Sequence, residues 1–413
     1  MCQNRFKVFI FFCSILYINT AHSQHNQTPS SDTSVAGQKD VGDVFRKIFL
    51  KNKAEKPDTA LYIPGKVYPS IFPGIGYAQL TGFTFLLTAN FAFYTNKGDS
   101  ANLSLIHTGI EYSQNRQFFP LLITNIWTKG NKYNLLGDIR YFNYSAYTYG
   151  LGSKSKTENP SFFDFSFIRV YQMAMKRVGP DFLLGLGYNL DYHWNIKNAS
   201  SNYKATDDYY IYDKSNNFDT SESISSGLSL NVLFDSRRNI NNPVAGGSFA
   251  NIILRQNVKG LGSDQNWASL YFDVRKYISF PRGSKNILAF WHFDWLTPYG
   301  NAPYLDMPSN GWDTYDNSSR NFIQGRYRGK NMLYFESEYR FGILKSGFLS
   351  GAVYANVASY SERVQNNFIS AAHNVGVSLR IKVNKHSNTN LIVSYGVGKD
   401  WQKGLFFNLG ETF

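Results

Sequence analysis

Apolar and polar side chains alternate along the C-terminal part of the chain. Residues 332–341 carry charge at alternate positions, and residues 373–383 carry apolar side chains at alternate positions. A period of two places every second side chain on the same face of a strand. One apolar face and one polar face, repeated in strand after strand, indicate a transmembrane β-barrel. The apolar positions of these two segments are Leu333, Phe335, Tyr339, Phe341, Val375, Val377, Leu379, Ile381 and Val383.

The same pattern predicts about sixteen strands from residue 68 onward, and therefore an all-β fold, a transmembrane antiparallel β-barrel. An even strand number leaves both chain ends on the periplasmic side. Short turns alternate with longer loops, which predicts periplasmic turns and extracellular loops; residues 297–330 form the sixth outer loop. The predicted strands are 70–80, 83–95, 101–112, 119–128, 133–146, 163–176, 181–191, 224–236, 247–256, 267–280, 286–296, 331–343, 348–359, 373–383, 389–398 and 404–413.

Composition supports the barrel over other strand-rich classes. The 413 residues include 34 Phe and 29 Tyr, and aromatic residues make up 17% of the chain. Barrels concentrate aromatic side chains where the wall meets the membrane surfaces. No segment after the N-terminus has the uninterrupted apolar run that a spanning helix requires. A secreted β-sandwich is also strand-rich, but it does not need so many aromatic residues.

The N-terminus predicts export to the outer membrane of a Gram-negative bacterium. Residues 1–23 resemble a signal peptide, with basic Arg5 and Lys7, an apolar run and a small residue at each end of 21–23. Both cysteines lie in this segment, which excludes disulfides and thiolate chemistry from the mature chain. Residues 24–65 are predicted to be a periplasmic tether that contains either a short amphipathic helix or only a transient one, and residues 66–413 the barrel.

The formal net charge of +13 arises from basic residues scattered among the predicted strands. That distribution favours a basic lumen and rims that meet anionic lipid head groups, and it disfavours nucleic-acid binding. Charges that face lipid at mid-bilayer cost several kcal/mol, so charged strand residues should point into the lumen. Such residues include Asp138, Arg140, Asp273, Arg275, Glu336, Glu338, Arg340 and Arg380.

Three segments resemble the BamA/TamA surface-antigen superfamily. Residues 319–330, followed by 338–341, are similar to that family's Arg-Gly-aromatic motif in the sixth outer loop and the strand that follows it. Residues 235–247 are similar to its Asp-x-Arg and Pro-x-x-Gly strand and turn. The third segment is the chain ending, 376–413. The order and spacing of the three segments, rather than any single motif, carry the resemblance.

The resemblance implies a loop lock, in which an arginine of the sixth loop reaches a partner inside the lumen. Two positions depart from the family pattern: Asn321 stands where the family has Gly, and Asn356 where it has Asp. A neutral Asn356 would weaken the pair, so Glu336 or Glu338 is an alternative partner for Arg320. The implied site residues are Arg320, Asn321, Phe322, Gly325 and Arg326 for the lock, Asn356, Glu336, Glu338, Arg340 and Arg380 for its lumen partners, Asp235, Arg237, Pro243 and Gly246 for the strand-turn motif, and Phe413 as a C-terminal barrel signal.

The resemblance implies a role in outer-membrane protein assembly or translocation. A weak seam between 70–80 and 404–413 would open and template an incoming strand. The hydrogen-bond ladder at this seam would be weakened by Pro69, Pro73, Gly404 and Gly410. Proline and glycine are also common at the ends of ordinary strands, which explains these residues equally well. The segment before the barrel is too short for the family's POTRA domains, which favours an accessory subunit. Expected partners are outer-membrane lipids and other assembly components or client barrels. The alternative function is a passive outer-membrane pore.

Enzyme chemistry is not predicted. The sequence contains no Gly-x-Ser-x-Gly elbow, no His-Glu-x-x-His and no phosphate loop. His292 and Asp294 are predicted to face the lumen as a hydrogen-bonded pair rather than as a catalytic one. Asp207 and Asp208 are read as part of a solvated loop rather than as a cation site. We therefore expect no cofactor and no metal.

Overall fold

The computed structural model describes residues 37–49, 65–78, 82–95, 102–158, 160–199, 208–237, 239, 242–313, 317–362, 366–385 and 388–413. The predicted signal peptide, 1–23, lies outside the described residues, as does most of the predicted tether, 24–65. Asp207 is outside them as well, whereas Asp208 begins a helix. The remaining described segments belong to one sheet and its connections.

Sixteen strands form one antiparallel sheet in which each strand pairs with its neighbour in the chain. The all-β prediction and the number of strands are confirmed, because the period-two pattern marked each strand. The strands are β1 (Tyr68–Ala78), β2 (Gly82–Tyr94), β3 (Leu103–Ser113), β4 (Phe118–Trp127), β5 (Tyr133–Thr148), β6 (Ser161–Gly179), β7 (Phe182–Asn198), β8 (Ser223–Asp235), β9 (Ser248–Asn257), β10 (Trp267–Ser279), β11 (Ile287–Tyr299), β12 (Met332–Gly342), β13 (Leu349–Tyr360), β14 (Ala372–Asn384), β15 (Thr389–Gly398) and β16 (Lys403–Leu409).

Two α-helices flank the sheet, α1 (Val41–Phe49) and α2 (Asp208–Ser215). The start of α1 lies against the short turns that join β12 to β13 and β14 to β15. Asp43 forms an ion pair of 3.0 Å with Lys385, and the Lys39 amide donates to the Ser346 carbonyl at 3.0 Å. Neither helix, nor any other within the described ranges, is long and apolar enough to cross a membrane.

The two faces of the C-terminal strands are divided as the alternation predicts. In β14 the side chains of Val375 and Val377 are 58% and 56% exposed, whereas Asn374 and Arg380 are buried on the opposite face. In β12 the buried set is the even-numbered one, which contains Glu336 and Glu338. The apolar set therefore faces outward, and the charged set faces the interior of the sheet, which we call the lumen.

The prediction that His292 and Asp294 face the lumen is wrong. In β11 the odd positions are buried, and they carry the aromatic rings Trp291, Phe293 and Trp295. His292 lies on the outer face with its side chain 44% exposed, and its Nε2 is 3.0 Å from Asp294 Oδ2. The prediction failed because it equated polarity with the lumen, whereas this strand packs aromatic rings inward against the loops that fill it.

The last strand is shorter than predicted. β16 ends at Leu409, and Gly410 adopts a φ of 96°, a left-handed conformation that favours glycine and ends the ladder. Residues 411–413 are buried rather than paired in the sheet. The prediction extended the strand to Phe413 because Phe413 keeps the odd-numbered register of Leu405, Phe407 and Leu409, although Glu411 interrupts the apolar series.

An arginine placed on the outer face should test the orientation of β14. Val377→Arg puts a charge near the middle of the strand, facing lipid, and should destabilise the protein by about 2–4 kcal/mol. Urea titration in lipid vesicles measures the change. The matched control is Val377→Leu, which keeps the site apolar and should change stability little; equal effects of the two variants would contradict the assignment.

Candidate functional site

The described residues of the connection between β11 and β12, 300–313 and 317–331, are folded into the lumen; we call this connection loop 6. Its side chains include some of the most deeply buried in the described chain. Tyr304, Met307, Arg326 and Tyr327 are fully buried, and Arg320 is 2% exposed. A segment of this length packs inside the wall only where its polar groups find partners there.

Arg320 finds those partners on β12. Its Nη2 donates to Glu336 Oε1 and to Glu338 Oε2, and its Nη1 donates to the Thr412 hydroxyl at 3.1 Å. Its guanidinium carbon lies 3.7 Å from the centre of the Tyr354 ring. All of these groups are buried, so the charges interact with little screening by water. Arg320 therefore anchors the loop to the wall through two carboxylates.

Asn356 does not contact Arg320 directly. Its Nδ2 donates to Glu336 Oε2 at 3.1 Å, while the Tyr334 hydroxyl donates to the same oxygen at 2.5 Å. These donors satisfy the lone pairs of Glu336 that Arg320 leaves free. Asn356 thus orients the carboxylate, and Glu336 together with Glu338 supplies the charge that the sequence comparison expected from an aspartate at position 356.

The tip of loop 6 lies directly on glycines of the wall. A Cβ at Gly404 would come within 2.1 Å of the Asn321 carbonyl oxygen, and one at Gly398 within 2.6 Å of the Phe322 ring. Gly404 is therefore required by this close approach, a role that sequence alone does not reveal. Asn321 itself has a φ of 74°, a region that asparagine tolerates better than most residues and that accounts for its use where the family has Gly.

Arg326 and Gly325 hold the other side of the loop. Arg326 donates to the Ser155 hydroxyl at 2.8 Å and to the Ser155 carbonyl at 2.6 Å, so it joins loop 6 to the connection between β5 and β6. Gly325 has a φ of 76°. Arg326 therefore binds a different partner from Arg320, although the sequence motif places both arginines in one site.

The chain end, residues 410–413, is also inside the lumen; we call it the tail. Glu411 accepts hydrogen bonds from Arg380 at 2.6 Å and from Asn390 at 2.7 Å. Arg340 donates to the Phe413 main-chain oxygen at 2.9 Å, and the Phe413 ring stacks on Trp291 at a centroid distance of 5.5 Å. Phe413, expected as a barrel signal, therefore lies against aromatic side chains of the lumen.

Loop 6, the wall and the tail share one set of charges, which we call the luminal network. Arg340 bonds Glu338 at 2.6 Å and lies 3.5 Å from Glu411, so it connects the partners of Arg320 to the tail. The network contains three arginines and three glutamates, and its formal charges balance. Its members are Arg320, Glu336, Glu338, Arg340, Arg380 and Glu411.

The strand-turn motif lies at the end of β8 and in the connection to β9. Arg237 makes two hydrogen bonds to the Asp235 carboxylate, at 2.9 and 2.8 Å. After Pro243 the chain turns at Gly246, which has a φ of 93° and whose amide donates to the Tyr277 carbonyl at 3.0 Å. Within this turn, Asn242 accepts a hydrogen bond from Arg380 at 3.1 Å. The motif thus reaches the luminal network through Arg380.

A second contact joins loop 6 to α2, which lies in the connection between β7 and β8. The Tyr304 amide donates to Asp213 Oδ1 at 3.3 Å, and the Tyr212 hydroxyl donates to the Ala302 carbonyl at 2.9 Å. Burial raises the pKa of the Asp213 carboxyl to about 7, and the nearby Asp306 adds to this effect. Burial, with Asp191 close by, also raises the pKa of Asp306.

Sequence reasoning missed several members of the site. The predicted last strand, 404–413, includes Glu411 and Thr412, and the sequence motifs assign no role to Tyr354. Gly410, whose φ is 96°, was the sequence signal that the strand ends before Glu411. Within the described residues, no group of three or more His, Cys, Asp or Glu is placed to hold a metal ion.

A sixteen-stranded antiparallel sheet with an apolar, aromatic outer face and a loop fixed in its lumen defines an outer-membrane β-barrel protein. The chain belongs to the Omp85 superfamily, whose domain model matches residues 97–413. This match confirms the resemblance seen in the motifs. A comparison with curated proteins finds no match.

Two solved structures share the fold. BamA from Haemophilus ducreyi, in a structure lacking POTRA domains 1–3, has 17% sequence identity and a TM-score of 0.55, with 82% of this chain and 69% of that chain covered. CdiB from Acinetobacter baumannii has 10% identity and a TM-score of 0.52, with 83% of this chain and 59% of that chain covered. The chain thus spans less than two thirds of CdiB.

Removing the guanidinium of Arg320 should release loop 6. Arg320→Ala leaves Glu336 and Glu338 buried without their main partner, which typically costs about 3–5 kcal/mol. We expect lower resistance to heat on gels and faster protease cleavage within residues 297–330. The control is Arg282→Ala, at an exposed turn arginine, which should behave as the wild type. Unchanged behaviour of Arg320→Ala in both assays would contradict the anchor.

The contact between α2 and loop 6 should weaken as the pH rises. The folded protein holds the Asp213 proton up to about pH 7, whereas the unfolded chain releases it near the usual value of 3.8. The stabilisation is therefore greatest at acidic pH and is lost as the pH rises through 7. Hydrogen exchange of residues 208–222 and 300–312, corrected for intrinsic rates, should show more opening at pH 8 than at pH 5.5.

Two substitutions test whether the Asp213 carboxyl, rather than a neighbouring one, causes this pH dependence. Asp213→Asn removes the titrating group and should reduce the pH dependence of exchange. Asp219→Asn is the control, because hydrogen bonds from Ser221 lower the pKa of Asp219 and keep it ionised across this range. If Asp213→Asn keeps the full pH dependence, another group is responsible.

Proposed function

We propose that this protein takes part in outer-membrane protein assembly or translocation, through a seam between β16 and β1 that opens. Omp85 proteins are assembly and transport proteins rather than enzymes, and they work with other outer-membrane components. In this mechanism the barrel opens laterally at one defined edge of its sheet. The protein acts either alone or as a subunit of a larger assembly.

The observation that carries the proposal is the path of the chain after β16. β16 has only seven residues, and the chain leaves the sheet at Gly410 to enter the lumen. Ladder pairs join every consecutive pair of strands from β1 to β16, but among the described residues none joins β16 to β1. β1 and β16 thus stand at the two ends of the sheet order, and a strand edge that opens is a template for an incoming strand.

The luminal network couples this edge to loop 6. Arg320 contacts both the β12 carboxylates and Thr412 of the tail, and Asn317 donates to the Thr412 carbonyl at 2.9 Å. Movement of loop 6 therefore removes two of the contacts that hold the tail in place. Release of the tail frees β16 at its C-terminal end, where an incoming strand would begin to pair.

The occupied lumen favours this function over a passive pore. Loop 6 and the tail are packed against aromatic rings of the wall, including Trp291, Phe293 and Tyr334. A stable water-filled channel needs a continuous polar path through the barrel. Here the C-terminal half of the wall faces side chains of the protein itself, so conduction would require the same loop to leave.

Fixing the tail to loop 6 tests the proposal. The double variant Asn317→Cys with Thr412→Cys places thiols at two positions that are joined by the hydrogen bond from the Asn317 side-chain amide to the Thr412 main-chain carbonyl. In proteoliposomes, insertion of a newly synthesised barrel protein, measured by protease protection, should fall at least tenfold when the disulfide forms and recover on reduction. The reason is that a tethered tail keeps β16 from moving into the seam.

Each single-cysteine variant serves as a control, because it alters the same site without forming the tether. If oxidised and reduced proteins insert the client equally well, tail release is not required. If neither form inserts a client and both give the same steady single-channel conductance, the protein is a pore. The reduced double variant reports any cost of the substitutions themselves.

An accessory role makes a different prediction about partners. Purification in mild detergent, followed by mass spectrometry, should then recover other assembly components in a fixed ratio to this chain. Arg320→Ala is an informative second sample, because a partner that binds the locked barrel should be lost from it. Recovery of the barrel alone, with full client insertion, favours independent action.

A further inference from the structure

Cations are concentrated at the end of the barrel that carries the short turns, which is the periplasmic end in outer-membrane barrels. The connection between β4 and β5, residues 128–132, lies there beside the connection between β6 and β7, residues 180–181. These turns and the adjoining end of β6 hold four cations and a single acidic residue, Asp181. This part of the rim therefore has an excess of positive charge. The cations are Lys129, Lys132, Lys176 and Arg177.

Hydrogen bonds fix the two turns to each other. The Arg177 amide donates to the Lys132 carbonyl at 2.9 Å, and the Arg177 Nε donates to the Asn131 carbonyl at 3.2 Å. On its other side, Arg177 Nη1 donates to the Pro180 carbonyl at 2.7 Å. Arg177 is thus committed to carbonyls of both turns, and it holds the backbone that carries the neighbouring lysines in one position.

Lys132 and Lys176 lie on either side of one tyrosine ring. The Lys132 Nζ is 5.6 Å from the centre of the Tyr133 ring. Tyr133 is paired directly with Lys176 across β5 and β6, so these two side chains leave the sheet next to each other on the same face. Both lysines are exposed, and neither ammonium group forms an ion pair or a hydrogen bond within the described part of the chain. Two ammonium groups without a carboxylate partner therefore lie beside one ring.

Leucines continue this outer face toward the middle of the barrel wall. Leu184 is paired with Lys176, and the next outward-facing row contains Leu135 and Leu186. All three leucines are exposed, Leu186 to 69%. A tyrosine placed where leucines give way to lysines is typical of the boundary between hydrocarbon and lipid head groups. The methylene stem of a lysine covers apolar surface there while its ammonium group stays among the head groups.

We propose that this part of the rim binds one anionic phospholipid of the periplasmic leaflet, with the lipid phosphate between the ammonium groups of Lys132 and Lys176. The acyl chains lie along the leucine surface above the two lysines. That apolar surface favours a lipid over an acidic protein as the occupant, because a protein in the periplasm would meet the lysines alone. The proposal goes beyond the assembly function and does not depend on it.

The charge of the site selects among phospholipids. A zwitterionic head group brings its own ammonium group, which competes with the lysines for the phosphate. A head group with a net negative charge has no such competitor, and each lysine near an anionic lipid contributes roughly fivefold to binding. The site should therefore prefer phosphatidylglycerol to phosphatidylethanolamine.

Lipid titration of the full chain in a mild non-ionic detergent, with bound lipid counted by native mass spectrometry, tests the ligand class. Phosphatidylglycerol and phosphatidylethanolamine are used with the same acyl chains, so that only the head group differs. The first phosphatidylglycerol should bind at least fivefold more tightly than the first phosphatidylethanolamine. The free head group, glycerophosphoglycerol, should bind at least tenfold more weakly than the lipid, because it cannot contact the leucines.

Three variants locate the binding. Lys132→Gln combined with Lys176→Gln should lower the affinity for phosphatidylglycerol at least tenfold and remove the preference over phosphatidylethanolamine. The matched control is Arg282→Gln combined with Lys285→Gln, which removes two exposed cations from the connection between β10 and β11 and should keep the preference. Leu186→Asn should weaken both lipids alike, because it alters only the surface for the acyl chains. Heat-modified mobility on gels checks that each variant is folded.

Three results would overturn the proposal. The first is that the wild type binds both phospholipids equally tightly, which means that the rim does not select a negative head group. The second is that the two double variants lower phosphatidylglycerol binding by the same factor, which assigns binding to the charge of the whole rim. The third is that the free head group binds as tightly as the lipid, which makes the occupant a soluble anion.

Discussion

The pairing of Arg320 with Glu336 and Glu338 is the interaction on which the rest of the lumen depends. Two carboxylates on adjacent inward positions of one strand repel each other and are costly to bury without a partner. The guanidinium of loop 6 supplies the opposite charge, and Arg340 supplies it from the wall. With Glu411 of the tail included, the formal charges of the luminal network balance only while Arg320 of loop 6 is inside the lumen.

The same constraint explains the position of the tail. Together with Arg320, the guanidinium groups of Arg340 and Arg380 would exceed the charge of the two β12 carboxylates if Glu411 were absent, and Glu411 restores the balance from the tail. Because loop 6 and the tail neutralise one network, neither can leave without exposing buried charge on the other. Under the proposed opening, the lumen would therefore switch between a locked and a released arrangement rather than change gradually.

The lumen is divided into two regions with different chemistry. Around β12 to β16 the arginines and glutamates of the luminal network are paired, and glycines let the loop approach the wall closely. Around β5 to β11 the wall is aromatic, and the buried indole N–H groups of Trp267 and Trp295 have no hydrogen-bond partner within the described structure. Loop 6 contacts both regions.

The sequence by itself determined the sheet, because a strand with one lipid-facing side must alternate, and positions such as Val377 and Arg380 show that alternation directly. It also named Arg320 and both of its carboxylate partners, since a resemblance in motif order carried them. Tertiary structure alone decided that both carboxylates pair with Arg320, that Gly404 makes room for Asn321 and that Glu411 lies in the lumen. It also showed that His292 faces outward. Alternation reveals which residues share a face, but only packing decides which face is inside and how far a loop reaches.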